Sequence, residues 1–201
     1  MNDVLSSGPS PYAGLWKLDP QITFLNHGSF GACPRAILER QQEIRDAMEA
    51  DPVRFMEWEY PLLLDSSRRK LALFTGCDPA QVVFTRSVTQ AVNAVLRSFP
   101  FAEGDEIVST DHEYNACANV ARYLADGLPN VAAKVKFIEA KVPYPLTGPD
   151  EIIDAVMQCI TPRTRLLLID QVTSPSGFLQ PVAELVEEMN RRGIETLVDG
   201  S

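Results

Sequence analysis

The sequence predicts an α/β fold built on a mostly parallel sheet with helices on both faces. Short apolar runs alternate with amphipathic stretches from Val82 to the end of the chain, and strands separated by helices call for right-handed crossover connections. Polar clusters directly follow several of the apolar runs, as ligand-binding residues do at the carboxyl ends of parallel strands. A chain of 201 residues is long enough to bury the core that such a sheet needs.

Residues 1–20 are rich in Ser, Gly and Pro and predict an arm, and residues 1–30 together are expected to form an N-terminal arm with a substrate loop. Within them, residues 22–25 predict a short strand that runs into the loop at residues 26–31. The glycines of this loop permit positive φ and a close approach of the backbone to another group, which a turn and a ligand explain about equally well. Residues 31–201 are expected to form one partial large domain.

Two amphipathic helices are predicted next. The first covers residues 34–49, with a proline near the first helical position and with apolar side chains on one face that is expected to be buried: Ile37, Ile44 and Met48. Asp51 and Pro52 interrupt the pattern. Residues 61–74 then predict a second helix, with Gly76 as its C-cap.

Strands and helices alternate in the remainder of the chain. The predicted strands cover residues 82–85, 106–109, 134–139, 165–170 and 195–199. The predicted helices between them cover residues 89–97, 116–124, 149–159 and 181–192, and the last is followed by a capping Gly193. Residues 196–198 have the pattern of a buried strand, which would deliver Asp199 to the carboxyl edge of the sheet.

Composition and charge exclude several classes of function. The chain is 45% hydrophobic and 22% charged, and its net charge of −9 argues against a nucleic-acid-binding surface. No apolar run approaches the roughly 20 residues that span a bilayer, and the polar N-terminus predicts no signal peptide. Four cysteines without a CxxC pair predict reduced thiols in a cytoplasmic protein, with no zinc site and no other metal expected.

The sequence contains neither a G-x-G-x-x-G motif nor a P-loop. In the corresponding place, between the predicted strand at residues 82–85 and the helix that follows it, lies a polar turn at residues 85–90. The backbone N–H groups at the start of the following helix form an anion site, to which the hydroxyls of Ser87 and Thr89 add donors. An ordinary N-cap explains serine and threonine at these positions about equally well.

Three further strand ends carry polar side chains. His112 lies in a cluster at residues 111–115, a hydroxyl-rich cluster covers residues 171–177, and Asp199 ends the last strand. Taken alone, His112 is more often a structural residue, and Asp199 more often caps a turn or a helix. Together, an anion site, a ring, hydroxyls and a carboxylate are what a planar, phosphorylated, basic heterocycle needs.

These stretches resemble the class V aminotransferase family of fold-type I pyridoxal phosphate enzymes, and within it the isopenicillin-N-epimerase-like branch. The resemblance covers nearly the whole chain from Leu25 onward, and its carriers are residues 25–31, 51–55, 85–93, 111–116, 170–177 and 198–201. The resemblance implies that the fold is the large domain of such an enzyme and that its cofactor is pyridoxal 5'-phosphate.

The resemblance assigns cofactor contacts residue by residue. Val88 and Thr89 are similar to the turn that cradles the phosphate, through their backbone N–H groups and the Thr89 hydroxyl. His112 resembles the histidine that stacks on the cofactor ring in cysteine desulfurases, although Tyr114 is a rival for that face of the ring. Ser174 occupies a position that approaches the phenolic oxygen of the cofactor.

Asp199 resembles the carboxylate that keeps the pyridine nitrogen of the cofactor protonated, which together with His112 makes it an expected catalytic residue. Asn26, His27 and Gly28 resemble a loop that closes over the substrate. Family members carry the Schiff-base lysine beyond this aspartate, followed by a small C-terminal domain with an arginine for the substrate carboxylate. No lysine here lies at the matching place, so the chain is expected to be an N-terminal portion that is inactive by itself.

The implied activity is therefore that of a longer parent, a homodimer that acts at Cα of an amino acid or amino-acid derivative as its small-molecule substrate. Epimerisation, transamination and carbon–sulfur cleavage all stay open, the last as a lyase or a cysteine desulfurase. A second hypothesis is a short, non-catalytic homologue that binds a phosphorylated ligand or a partner subunit. A third is an ordinary nucleotide-binding α/β protein.

Overall fold

The computed structural model of the protein describes residues 10–126 and 134–201. The chain divides into two units, Met1–Val83 and Phe84–Ser201. The predicted division into an arm of residues 1–30 and a partial large domain of residues 31–201 stays a prediction. Within the described ranges, no helix combines the length and the apolar character needed to cross a membrane.

Helices dominate the first unit. They are α1 (Arg35–Ala50), the single turn α2 (Pro52–Arg54) and α3 (Tyr60–Thr75), with a π-helical stretch, Phe55–Glu59, between the last two. Both predicted helices are thus confirmed. Asp51 separates them as expected, because its Oδ1 accepts a hydrogen bond of 3.1 Å from the backbone N–H of Arg54 and so caps α2. Gly76 ends α3 with a φ of 74°.

Two predictions for this unit are wrong. Residues 22–25 form no strand, because no neighbouring strand among the described residues offers them ladder hydrogen bonds. The apolar side of α1 is not a buried face either: Ile44 and Met48 are half-buried, and Ile37 is 58% exposed. The helix is mostly polar in sequence, so its few apolar side chains form only a narrow stripe.

The second unit carries a four-stranded sheet in which every neighbouring pair of strands is parallel. Its strands are β1 (Glu106–Thr110), β2 (Lys136–Ala140), β3 (Thr164–Asp170) and β4 (Glu195–Asp199), in the spatial order β2-β1-β3-β4. Four of the five predicted strands are thereby confirmed, with ends that differ by at most two residues.

Four helices cover both faces of this sheet, as predicted: α4 (Val88–Ser98), α5 (Asn115–Ala125), α6 (Pro149–Cys159) and α7 (Val182–Arg192). Helices α4 and α5 pack on one face, against Ile107 and Leu168. Helices α6 and α7 pack on the other, against Val108 and Ile169. The connection through α5 runs toward the β2 edge of the sheet, whereas the connections through α6 and α7 run toward the β4 edge. Because such crossovers are right-handed, α5 lies on one face and α6 and α7 lie on the other.

Two further predictions need correction. Residues 82–85, at the junction of the units, form no strand, since no described strand pairs with them. Residues 196–198 do lie in a strand, but it is not a buried one. Strand β4 has a neighbour on only one side among the described residues, which leaves Val198 37% exposed and only Asp199 of this strand buried.

Candidate active site at the carboxyl edge of the sheet

The direction of the chain connections reverses between β1 and β3. From β1 the chain moves outward to β2, and from β3 it moves the other way to β4. The two connections therefore diverge on opposite faces and leave a crevice at the carboxyl ends of these adjacent strands, which is where open α/β sheets bind ligands. The polar clusters that follow Thr110 and Asp170 both start at this crevice.

Strand alternation sends three polar side chains to the same face of the sheet. Ser109 follows Ile107, Asp170 follows Leu168, and Asp199 follows Leu197, each at a spacing of two residues. The three apolar residues belong to the core beneath α4 and α5. Because side chains two apart in a strand share a face, the polar three lie on the α4–α5 side as well, and all are buried.

Helix α4 points its N-terminus toward this edge. Its C-terminal part, at Val95 and Phe99, borders the same cavity as the start of β4 at Glu195 and Thr196, so the helix runs antiparallel to the strand. The first backbone N–H groups, those of Val88 and Thr89, lie ahead of the helical hydrogen-bond ladder and face the carboxyl edge. The structure therefore brings the predicted anion site to the same face and edge as Asp199.

The hydroxyl of Ser87 is used locally. It accepts a hydrogen bond of 3.2 Å from the backbone N–H of Gln90 and so forms the N-cap of α4. The hydroxyl therefore has the ordinary capping role that was the alternative to a role as an anion-site donor. The side-chain oxygen of Gln90 in turn accepts a bond of 3.1 Å from the N–H of Arg86. These two bonds fix the turn that carries the N–H groups of Val88 and Thr89, whose role as anion-binding donors stays a prediction.

Asp199 is 4% exposed and has different partners at its two oxygens. Oδ1 accepts hydrogen bonds from the backbone N–H and the hydroxyl of Ser201, at 3.0 and 2.7 Å. Oδ2 lies 3.5 Å from the sulfur of Cys117, which is a weak donor. One carboxylate oxygen is thus held firmly, and the other is available to a stronger donor.

Two more carboxyl groups, Glu113 and Asp170, are buried beside Asp199. The Ser109 hydroxyl donates to Glu113 Oε2 at 3.0 Å, and the backbone N–H of Tyr114 donates to Asp170 Oδ2 at 3.1 Å. Burial, followed by the negative charge of Asp170, raises the pKa of Glu113 to about 8, and burial also raises the pKa of Asp170. The site is therefore a buried, acidic cluster.

The same cluster offers three possible metal ligands, since one atom each of Glu113, Cys117 and Asp199 lies within 4.8 Å of the others. Burial and then the charge of Asp199 raise the pKa of the Cys117 thiol to about 12. Metal ligation requires the thiolate, and this thiol stays protonated at neutral pH. A metal ion bound here would have to displace the strongly held proton of Cys117.

His112 is anchored by the loop that follows β3. Its Nδ1 and the hydroxyl of Ser176 are 2.7 Å apart, and that hydroxyl is 2.8 Å from Oγ1 of Thr173. The ring of Phe178 lies against the imidazole, with centroids 5.3 Å apart and an interplanar angle of 31°. Tyr114, the predicted rival, is 45% exposed. Its role and that of His112 toward a cofactor ring stay predictions.

Ser174 and the loop at residues 26–28 lie at the surface. Ser174 is an exposed residue of the loop after β3. In the first unit, the Oδ1 of Asn26 accepts a bond of 3.4 Å from the N–H of Ser29, and the ring of His27 lies 4.7 Å from that of Phe24 and 5.6 Å from that of Trp16. Gly28 is exposed in the same turn. The cofactor and substrate roles of these residues also stay predictions.

Glu113, Asp170 and Cys117 are the site residues that the sequence analysis missed. The signal for Asp170 was present, because alternation from Leu166 and Leu168 places it on the α5 face. Cys117 lies in the first turn of α5 and Glu113 just ahead of that helix, but only the pairing of β3 with β4 brings both near Asp199.

A family profile and two curated relatives match the sequence of this chain. The sequence profile of the family described as aminotransferase class-V matches residues 28–201. The chain is 38% identical over 191 residues to the isopenicillin N epimerase of Amycolatopsis lactamdurans, with 92% of this chain and 46% of the relative covered. It is 36% identical over 192 residues to the isopenicillin N epimerase of Streptomyces clavuligerus, with 94% and 46% covered. The chain spans about half the length of the curated relatives it matches.

The third relative is C-DES, for which two solved structures share this fold. One is the complex of this cystine C–S lyase with its product cysteine persulfide, with a TM-score of 0.80, 23% identity, and 90% of this chain and 48% of that chain covered. The other is a lysine-to-alanine variant with glycine covalently linked to its pyridoxal phosphate cofactor, with a TM-score of 0.79, 23% identity, and 90% and 47% covered. Since the family profile extends over residues 28–201, the chain belongs to the class V aminotransferase family.

Proposed function

We propose that the chain supplies the cofactor-binding part of a pyridoxal-phosphate-dependent enzyme that acts at Cα of an amino acid or amino-acid derivative. The observation that carries this proposal is the position of Asp199, a buried carboxylate on the same face and edge of the sheet as the N-terminus of α4. A phosphorylated, basic heterocycle needs an anion site and a carboxylate at its two ends, and this edge offers both.

The residues present fit such a cofactor. Among the described residues, the thiol of Cys117 is the hydrogen-bond donor to Oδ2 of Asp199, and a pyridinium N–H would be a stronger donor to it. The Ser87 cap orders the turn that carries the N–H groups of Val88 and Thr89, which supports their proposed role in holding the phosphate. The apolar core between α4 and α5 supplies the floor of the site.

Each residue then has a definite task. Bound pyridoxal phosphate supplies an electron sink that eases loss of the Cα proton. Asp199 holds a proton at the ring nitrogen of the cofactor, and Val88 and Thr89 hold its phosphate. His112, or its rival Tyr114, covers the ring, and Ser174 lies on the loop assigned to the phenolic oxygen. Asn26, His27 and Gly28 are proposed to contact the substrate.

Epimerisation is the reaction that the relatives favour, because both isopenicillin N epimerases are more than 30% identical to the chain. Carbon–sulfur cleavage is the second candidate, since C-DES, a cystine C–S lyase, shares the fold. Incubation of the full-length protein with isopenicillin N and, separately, with cystine distinguishes the two. A change in the configuration of isopenicillin N supports the epimerase, and release of persulfide supports the lyase. Binding of pyridoxal phosphate without either product counts against both reactions and leaves transamination and a non-catalytic homologue.

The cofactor proposal is tested by titrating the full-length protein with pyridoxal phosphate and following its absorbance. Asp199→Asn removes the charge but keeps the shape, and we expect roughly 10- to 100-fold weaker binding, because a hydrogen bond to a charged group contributes about 1.5–3 kcal/mol. The matched control is Asp154→Asn, which removes one negative charge from an exposed position on α6. Equal affinity of the Asp199 variant and the wild type would refute the assignment.

Assembly as a homodimer and a cytoplasmic location belong to the same proposal. The dimer is supported by the resemblance, and light scattering of the full-length protein tests it. A monomeric mass across the working concentration range would count against the dimer.

A further inference from the structure

Two buried carboxyl oxygens in the site lack a hydrogen-bond donor. Glu113 Oε1 and Asp170 Oδ1 are inaccessible to solvent, and no donor reaches either of them among residues 10–126 and 134–201. Both side chains lie beside Asp199, since a carboxyl oxygen of Glu113 is within 4.8 Å of one of Asp199, and Asp170 is the register partner of Asp199 on the neighbouring strand. Two ionised carboxylates can only accept hydrogen bonds, so a single proton between them satisfies both oxygens and removes a direct repulsion.

We propose that Glu113 and Asp170 share one proton at neutral pH and act as a positioning pair, which ties the segment carrying His112 and Tyr114 to the end of β3 beside Asp199. Neither residue is assigned contact with a ligand. The pair acts on the site by fixing the segment and by limiting the negative charge around Asp199. This second effect, as far as it concerns a bound cofactor, rests on the proposed function.

The surroundings assign the proton to Glu113. Asp170 Oδ2 accepts from the backbone N–H of Tyr114, the N-cap residue of α5, whose own side chain makes no cap. A negative charge is favoured at a helix N-terminus, so Asp170 holds the charge. Glu113 has one neutral donor, the Ser109 hydroxyl, and burial is the largest influence that raises its pKa.

The groups that face Glu113 reinforce this state. They come from β3, β4 and α5 and are Asp170, Asp199 and Cys117. Among the described residues, no lysine, arginine or histidine forms an ion pair with Glu113, Asp170 or Asp199. Each facing group is therefore an acid or a neutral thiol, and loss of the proton would place three negative charges together in a buried space.

The sign of the pH dependence follows from the raised pKa of Glu113. In the unfolded chain this carboxyl has its ordinary pKa of 4.5, and in the fold its pKa is about 8. Between these values the folded state binds more protons than the unfolded state, so stability falls as pH rises from 4.5 to about 8 and then levels off. From this group alone, the folding equilibrium constant decreases by up to about three thousandfold over that window.

Infrared spectroscopy of the cofactor-free, full-length protein tests the shared proton directly. We expect a protonated-carboxyl band at neutral pH that disappears as pH rises through about 8. The band should be absent in Glu113→Gln, and in Asp170→Asn it should be lost at lower pH, because the neighbouring charge is gone. The matched control is Glu106→Gln, which changes a buried glutamate at the opposite end of β1 and should keep the band. Absence of the band in the wild type, or its loss in the Glu106 variant, would overturn the proposal.

Urea unfolding of the same cofactor-free proteins provides a second readout. The wild type should lose stability between pH 6 and pH 9, whereas the neutral glutamine of Glu113→Gln should flatten this profile; an unchanged profile in that variant would contradict the proposal. If Glu113→Gln does not fold, the protonated-carboxyl band of the wild type and its loss at lower pH in Asp170→Asn still test the proposal. Because neither readout uses the cofactor, failure to bind pyridoxal phosphate would refute the proposed function and leave the proton pair standing.

Discussion

Thr173 links the loop after β3 to His112 through hydrogen bonds of its hydroxyl. Removing the Thr173 hydroxyl tests how much these bonds stabilise the loop. Thr173 is 2% exposed, and its Oγ1 accepts a hydrogen bond of 2.8 Å from the backbone N–H of Phe178. The same atom lies 2.8 Å from the hydroxyl of Ser176, which contacts His112 Nδ1 at 2.7 Å. Thr173→Val keeps the volume of the side chain and deletes only these interactions.

The cost of this substitution can be worked from the contacts. The variant loses an ordinary hydrogen bond and leaves the N–H of Phe178 without its partner in a half-buried position. An ordinary bond contributes about 1 kcal/mol and an orphaned buried group costs about 1–3 kcal/mol, so the sum is about 2 kcal/mol once partial exposure is allowed for. That free energy corresponds to roughly a 30-fold change in the folding equilibrium constant.

Urea unfolding measures the loss, and hydrogen exchange locates it. We expect the midpoint to fall by roughly 1 M with little change in the slope, and the amide of Phe178 to exchange faster. Ser176→Ala should cost less, since it breaks the link to His112 and keeps the bond from Phe178 to Thr173. The control is Thr23→Val, at an exposed threonine, which should change stability by less than about 0.5 kcal/mol.

A loss of less than about 0.5 kcal/mol for Thr173→Val, with unchanged exchange at Phe178, would refute this reasoning. It would mean that packing alone holds the loop. The imidazole of His112 would then keep its position without the Thr173 hydroxyl, through Ser176 and the ring of Phe178, whose centroid lies 5.3 Å from that of the imidazole.

Further predictions concern the start of α4 and the thiols. Ser87→Ala should destabilise the protein by about 1 kcal/mol in urea unfolding, because it removes the N-cap, and Ser87→Asp should restore most of that loss; equal stability of all three proteins would contradict the cap. Cys117, buried and with its pKa raised to about 12, should resist alkylation at pH 8 until the protein unfolds, whereas the exposed Cys33 and Cys77 react. Mass mapping checks this, and modification of Cys117 at the same rate as the other two would show that the site opens in solution.

The helices were well predicted because their signals are local. Gly76 and Gly193 end helices with φ values of 74° and 68°, a conformation that glycine adopts without a steric cost, and Asp51 supplies an N-cap through its own side chain. Each of these signals acts within a few residues of the chain. No knowledge of the rest of the fold is needed to recognise them.

The strands were predicted less evenly because a strand needs a partner. Residues 195–199 have a neighbour in β3 and form a strand, whereas residues 22–25 and 82–85 have similar apolar runs and no described neighbour. The burial of each strand also depends on its neighbours. Strand β3 lies between two others and is almost fully buried, and β4, at an edge, leaves most of its side chains partly exposed.

The sequence by itself determined the alternation of strands and helices, the caps, and the polar residues at the strand ends that carry the family resemblance. Only the tertiary structure decided that Glu113, Cys117, Asp170 and Asp199 form one buried cluster. The parallel register that pairs Asp170 with Asp199, and the packing of α5 that brings Cys117 to within 3.5 Å of a residue 82 positions later, are long-range events. Their consequence is also tertiary, because a carboxyl group changes its proton affinity only when folding removes it from water and places other charges beside it.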